Sequence, residues 1–197
     1  MGELPVEEPP SADDQVSDFE RILADRERTL GPDHPDTLLA RTNVGGACQQ
    51  AGHPDRAVRL FEQILADGER VLGPDHPGTL TFRNNLAGGH EAAGDPARAI
   101  PLYERALTGR ERVIGPDDLR TLHCRDNLAR AHELTDAPAQ AIPLHERTLS
   151  DRERTLGGAC AKPCPKLTAY SLWPHGLVLA ASPVRTGIVS PIASGHA

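Results

Sequence analysis

The sequence predicts an all-α chain: an α-α superhelix, a solenoid of about three helix-turn-helix units with one unpaired helix in front and an irregular tail behind. Three observations predict it. The segment Leu72-Gly73-Pro74-Asp75-His76-Pro77 occurs 42 residues earlier as Leu30-Gly31-Pro32-Asp33-His34-Pro35, and 42 residues later as Ile114-Gly115-Pro116-Asp117-Asp118-Leu119. A stub, Leu156-Gly157, stands where the next copy is due. A fixed period of this size marks stacked supersecondary units. Between the copies, apolar residues recur at steps of three and four, the helical spacing. Aromatic residues make up only 3% of the chain against 38% hydrophobic, which suits helices packed through Ala, Leu, Ile and Val.

The elements follow in order. Residues 1–15 are acidic and proline-rich and should be disordered. The half-unit 16–31 carries Phe19, Ile22, Leu23 and Leu30 on one face. Units 32–73, 74–115 and 116–157 each hold two helices. The first helices span roughly 36–51, 78–93 and 119–135. Their apolar faces are Leu38, Val44, Ala47 and Cys48; Leu80, Leu86, Ala87 and His90; and Leu122, Leu128, Ala129 and His132. The second helices carry Ala57, Phe61, Ile64 and Leu65; Ala99, Tyr103, Ala106 and Leu107; and Ala141, His145 and Leu149. Pro101 and Pro143 fall inside second helices and should bend them.

The connections explain themselves. Gly31, Gly73 and Gly115 sit one step past the last apolar residue, where a left-handed C-cap is wanted. Pro32, Pro74 and Pro116 forbid continuation. Asp33, Asp75 and Asp117 are expected to cap the next helix. Short turns at Gly52-His53-Pro54-Asp55, Gly94-Asp95-Pro96 and Asp136-Ala137-Pro138 make the two helices of a unit antiparallel neighbours, with Asp95 capping a helix that has Pro96 in its first turn.

Past Gly157 the period is lost. Residues 158–197 are rich in Pro and Gly, hold Tyr170 and Trp173, and read as an irregular tail. The chain's net charge is −7, yet the tail carries Lys162, Lys166 and Arg185 and no acid. The body is therefore more acidic than the whole, and every basic residue in it is Arg. An acidic body speaks against nucleic acid and against an anionic membrane surface. The absent first helix, the absent closing helix and the abrupt tail suggest an alternative: a truncated fragment of a larger signalling or regulatory protein whose effector domain is missing, the tail being a frameshift product if the 42-residue pattern resumes in another reading frame. The coding DNA in the other frames tests this.

The N-terminus has no apolar h-region and no apolar run is long enough to span a bilayer, so a reducing cytoplasm is expected. Cys48 and Cys124 read as small packing residues. Cys160 and Cys164 lack the further ligands that a zinc site needs. His90-Glu91, His132-Glu133 and His145-Glu146 each lack the second histidine of His-Glu-x-x-His. No phosphate loop, dinucleotide fingerprint or nucleophile elbow is present, so neither cofactor, metal nor catalysis is expected.

At these columns the chain resembles the tetratricopeptide repeat, in the long form found in kinesin-light-chain-like arrays. Val44-Gly45, Leu86-Ala87 and Leu128-Ala129 stand at the Leu-Gly pair of the first helix. Gly52 and Gly94 match the turn glycine. Ala57, Ala99 and Ala141 match the small residue of the second helix, and Phe61 and Tyr103 its aromatic. The third unit departs, with Asp136 for the glycine and His145 for the aromatic. A HEAT-like array shares the period, but the small-residue columns favour tetratricopeptide packing.

The resemblance implies a right-handed superhelix that binds a protein or peptide on the concave face lined by the first helices. The candidate groove residues are Asn43, Asn85 and Asn127, with Thr42, Asn84, Gln50 and Arg130. Asn disfavours helix interiors, so its recurrence needs a reason: an amide either pairs with a ligand backbone or closes hydrogen bonds between adjacent helices. Arg41, Arg83 and Arg125 form a second column. Each is either a clamp for a carboxylate ligand, or a stem over apolar surface whose head pairs with glutamate from the Glu62/Glu104/Glu146 column. The charge runs of the second helices, such as Asp25-Arg26-Glu27-Arg28, read as solvated faces. The uncapped ends leave room for end-to-end self-association, or for the tail to cover the last helix.

Overall fold

The computed structural model describes residues 11–157. The expectations for residues 1–10, for the tail 158–197, and for Cys160, Cys164, Tyr170 and Trp173 lie outside them. The described residues form seven helices: α1 Ala12–Leu30, α2 Pro35–Gln50, α3 Pro54–Val71, α4 Pro77–Ala92, α5 Pro96–Val113, α6 Leu119–Leu134 and α7 Pro138–Gly157. The units pair α2 with α3, α4 with α5 and α6 with α7; α1 is the unpaired helix in front.

Helix α1 starts at Ala12, earlier than the Val16 expected. The cause is a capping box: the Ser11 hydroxyl accepts from the Asp14 amide at 3.1 Å, while the Asp14 carboxylate accepts from the Ser11 amide at 3.0 Å. The acidic segment read as disorder thus supplies a helix start. Gly31, Gly73 and Gly115 follow the odd-numbered helices with φ of 86°, 91° and 93°, a conformation that other residues rarely take. Asp136 holds the same left-handed sense at φ 53°, in the turn where Gly52 and Gly94 stand.

The caps of the first helices need correction. Asp33, Asp75 and Asp117 do not cap. The next residue does: His34 Nδ1 accepts from the Asp36 amide, His76 Nδ1 from the Gly78 amide, both at 3.1 Å, and Asp118 Oδ1 from the Arg120 amide at 2.9 Å. The aspartates lie one step too early for that reach. They pair instead with arginines 37 residues ahead, near the end of the following second helix: Asp33 with Arg70, Asp75 with Arg112, Asp117 with Arg154. Thr37, Thr79 and Thr121 fix the same corners from inside. They are buried, and their hydroxyls donate to the carbonyls of Gly31, Gly68 and Gly115.

Consecutive helices pack on one another along the chain, and α4 also touches α2 and α6. The first helices therefore approach backbone to backbone, the spacing expected on the inner side of a curve. The second helices stand further apart and are bridged by long side chains, as Arg56 reaches Glu20 and Arg147 reaches Glu111. The core runs between the rows as a seam of Val16, Leu38, Val44, Ala57, Phe61, Ile64, Phe82 and Leu86, continued by Ala87, Ala99, Tyr103, Ala106, Cys124, Leu128 and Ala131. Small residues let the helices of a unit meet. A Cβ on Gly45 would stand 2.6 Å from the Phe61 ring, too close for two carbons. Pro101 and Pro143 lie exposed inside α5 and α7, which run on through them.

Candidate functional site

The inner row brings together residues from α2, α4 and α6. Four of the candidate groove residues are buried: Thr42, Asn84, Asn85 and Asn127. The Thr42 hydroxyl is spent on the Leu38 carbonyl at 2.9 Å. Asn127 Nδ2 points to Asn84 Oδ1 at 3.5 Å, across the α4–α6 seam. Both amide atoms of Asn85 lack a protein partner. Asn43 and Arg130 are half-buried and Gln50 is exposed, so these three reach solvent.

Arg130 anchors a network that the sequence did not announce. Its guanidinium forks onto Glu91, with Nε to Oε1 at 2.8 Å and Nη2 to Oε2 at 2.9 Å. The Tyr103 hydroxyl donates to the same Oε2 at 2.9 Å. Burial, reinforced by the Glu91 charge, pushes the Tyr103 pKa well up, so the phenol stays protonated and donating. One unit further on, His145 Nε2 meets Glu133 Oε1 at 3.0 Å with the same spacing of 12 residues. The histidine that breaks the aromatic column therefore keeps the polar half of the tyrosine's role. The usable signal was the Glu91/Glu133 column, twelve before Tyr103 and His145.

The Arg41/Arg83/Arg125 column lies on the other side of the first helices and looks outward between successive second helices. Arg41 donates to Glu27 at 3.0 Å and to Asp67 at 2.8 Å. Arg125 donates to Glu111 at 2.8 Å and to Asp151 at 2.7 Å. Arg83 donates to Glu69 at 2.6 Å. Pairing with glutamate holds, but from the Glu27/Glu69/Glu111 column rather than Glu62/Glu104/Glu146. The chosen glutamates are on the preceding second helix, about two turns nearer its end. At Asp151 burial works to raise the carboxyl's pKa; the hydrogen bond and charge of Arg125 outweigh it and hold the group below the ordinary carboxylate range.

Cys48 and Cys124 are buried free thiols, as packing residues should be. The Cys124 thiol donates to the Tyr103 carbonyl at 3.6 Å, and burial pushes its pKa up to about 11. Among the described residues no helix is long and apolar enough to cross a membrane.

Such a file of hairpins, with a core in two clusters that share Leu102, defines a helical-repeat scaffold. The tetratricopeptide repeat family matches residues 16–67, 58–112 and 82–154, and the chain belongs to it. Arrays of this family are protein-interaction scaffolds rather than catalytic centres. Among solved structures, the chain is similar to a Podosopora anserina protein described as a kinesin light chain with nearly identical TPR-like repeats. The identity is 26% and the TM-score 0.61, covering 73% of this chain and 68% of that one. A point-substituted form of the same protein gives 25% identity and a TM-score of 0.64, covering 74% and 69%. BtubC (BKLC) from P. vanneervenii shares the fold with a TM-score of 0.66 at 20% identity; the match covers 82% of this chain and 63% of that one. No curated protein matches the chain.

Proposed function

We propose that this chain is a non-catalytic interaction module that receives an extended peptide or a partner helix along the row formed by α2, α4 and α6. The observation that supports the reading is that α2 meets α4 and α4 meets α6, while successive second helices do not meet backbone to backbone among the described residues. Apolar burial against that row supplies the binding energy. Asn43, Gln50 and Arg130 orient the ligand from its edges, while Asn84 and Asn127 meet across the α4–α6 seam beneath. The acidic body disfavours nucleic acid as the occupant.

The test is affinity capture with the immobilised chain, followed by protein identification. A triple variant, Asn43→Ala with Gln50→Ala and Arg130→Gln, is expected to lose most of the captured partner while keeping its helical circular dichroism. Undiminished capture by the folded triple variant overturns the assignment of the inner row.

A further inference from the structure

The outward-facing arginine column contains an irregularity with chemical content. Arg41, Arg83 and Arg125 occupy equivalent positions, and each donates through Nη2 to a glutamate of the preceding second helix. In Arg41 and Arg125 the other terminal nitrogen, Nη1, donates to an aspartate of the following second helix, Asp67 or Asp151. The residue equivalent to those aspartates opposite Arg83 is Gly109. Arg83 Nη1 therefore meets no acid; its Nε is unpartnered, as is that of Arg125, so the difference between the two lies at Nη1. The side chain is nevertheless 4% exposed, held among α3, α4 and α5 with its head toward a cavity.

That cavity measures about 320 Å³ and is lined by Arg83, Arg105, Thr108, Gly109 and Arg112, with Asp75 and Glu104 as the opposing acids. Arg112 is already committed to Asp75. The comparable groove beside Arg41 is also open, but there Asp67 answers the guanidinium. An acid cannot simply be supplied at position 109. A Cβ there would run into the Leu80 side chain, which fills the floor.

We propose that the outer groove between α3 and α5 is a carboxylate-binding site. An acidic side chain of a partner protein takes, opposite Arg83, the place that Asp67 and Asp151 take opposite Arg41 and Arg125. A guanidinium held in place by one glutamate, with an unused edge facing a groove, is a recogniser of carboxylate, because its planar fork matches the carboxylate and its hydrogen bonds are charge-assisted. The site lies on the side of the array opposite to the inner row, so it is independent of the ligand proposed there.

The experiment titrates the full-length ¹⁵N-labelled chain at constant ionic strength with N-acetyl-aspartate-N′-methylamide. It follows the Arg83 Nε–H signal and the Gly109 amide. Both are expected to move in a saturable, millimolar response that the asparagine analogue does not produce. N-acetylglycine, with a free terminal carboxylate, reports whether a chain end competes with an acidic side chain. Arg83→Gln should abolish the Gly109 response, and Arg83→Lys, which keeps the charge but loses the planar fork, should weaken it at least tenfold. Arg130→Gln, on the inner row, should leave the response unchanged. A shift that the asparagine analogue or sodium chloride reproduces, or one that survives Arg83→Gln, overturns the proposal.

Discussion

Replacing Arg125 and Arg41 each with methionine sets one substitution against two degrees of burial. The positions are equivalent in the repeat, and both arginines bridge two acids. Arg125 is 0% exposed, and its partners Asp151 and Glu111 are 10% and 29% exposed. Arg41 is 13% exposed, and Glu27 and Asp67 remain 42% and 31% exposed. Methionine keeps most of the apolar stem contact, so the difference is electrostatic. Removing Arg125 takes away the buried partner of Asp151 and Glu111, which keep only the exposed Arg154 and Arg147, and breaking a buried pair costs about 3–5 kcal/mol. Removing Arg41 leaves carboxylates that water can solvate, and such pairs are worth about 1 kcal/mol or less. With a urea dependence of about 2 kcal/mol per molar, the midpoint should fall by roughly 2 M for Arg125→Met and by under about 0.5 M for Arg41→Met. Because each unit touches only its neighbours, the loss should concentrate in α6 and α7, read as faster amide exchange there. Adding Asp151→Asn to Arg125→Met should recover part of the loss, since the mostly buried carboxylate left with Arg154 alone is gone. Equal midpoint shifts for the two arginines, or no recovery in the double variant, would refute the reasoning.

Three further outcomes are expected. Gly45→Ala places a methyl 2.6 Å from the Phe61 ring and should destabilise by about 1–3 kcal/mol, with Phe61→Leu restoring part of it in urea unfolding. His123 is held below its ordinary value of 6.5 by burial and by the Arg152 charge. The folded chain thus binds that proton less readily than the unfolded one, so its share of stability is full above pH 6.5 and is lost as pH falls through the folded value. Unfolding midpoints between about pH 7 and 5 should decline less steeply in His123→Gln than in the parent. Cys124, its thiol pushed up to about 11, should resist iodoacetamide at mildly alkaline pH in the folded chain and alkylate only in denaturant, as peptide mass analysis will show.

The architecture was legible because several signals agreed at one period. Glycine past each helix, proline after it, and paired small and aromatic columns all named the same hairpin. What stayed hidden was the destination of polar side chains. Asp33, Asp75 and Asp117 sit where a cap is usual, yet their partners are arginines 37 residues away, and nothing local announces such a reach. Arg110 stands in a run of charges that read as solvated. It is buried, and it donates to the Arg120 carbonyl at 2.6 Å and the Thr81 hydroxyl at 3.2 Å. The asparagine columns were visible as a pattern, but their burial was not, because α4 is packed on both sides by neighbours whose spacing only the fold supplies. The same limit hid the arginine column's partners: helical phase gave the face, while the facing glutamate depended on the stagger between helices.

Among the described residues, the helices contact only near neighbours along the chain. Every helix meets the ones beside it, and each first helix meets the next first helix one unit on. Few loops must close before a favourable contact forms, so assembly should be quick. It can also proceed in the order of synthesis, with the earliest hairpin settled while the last is still inside the ribosome, and each new unit finding its template already in place.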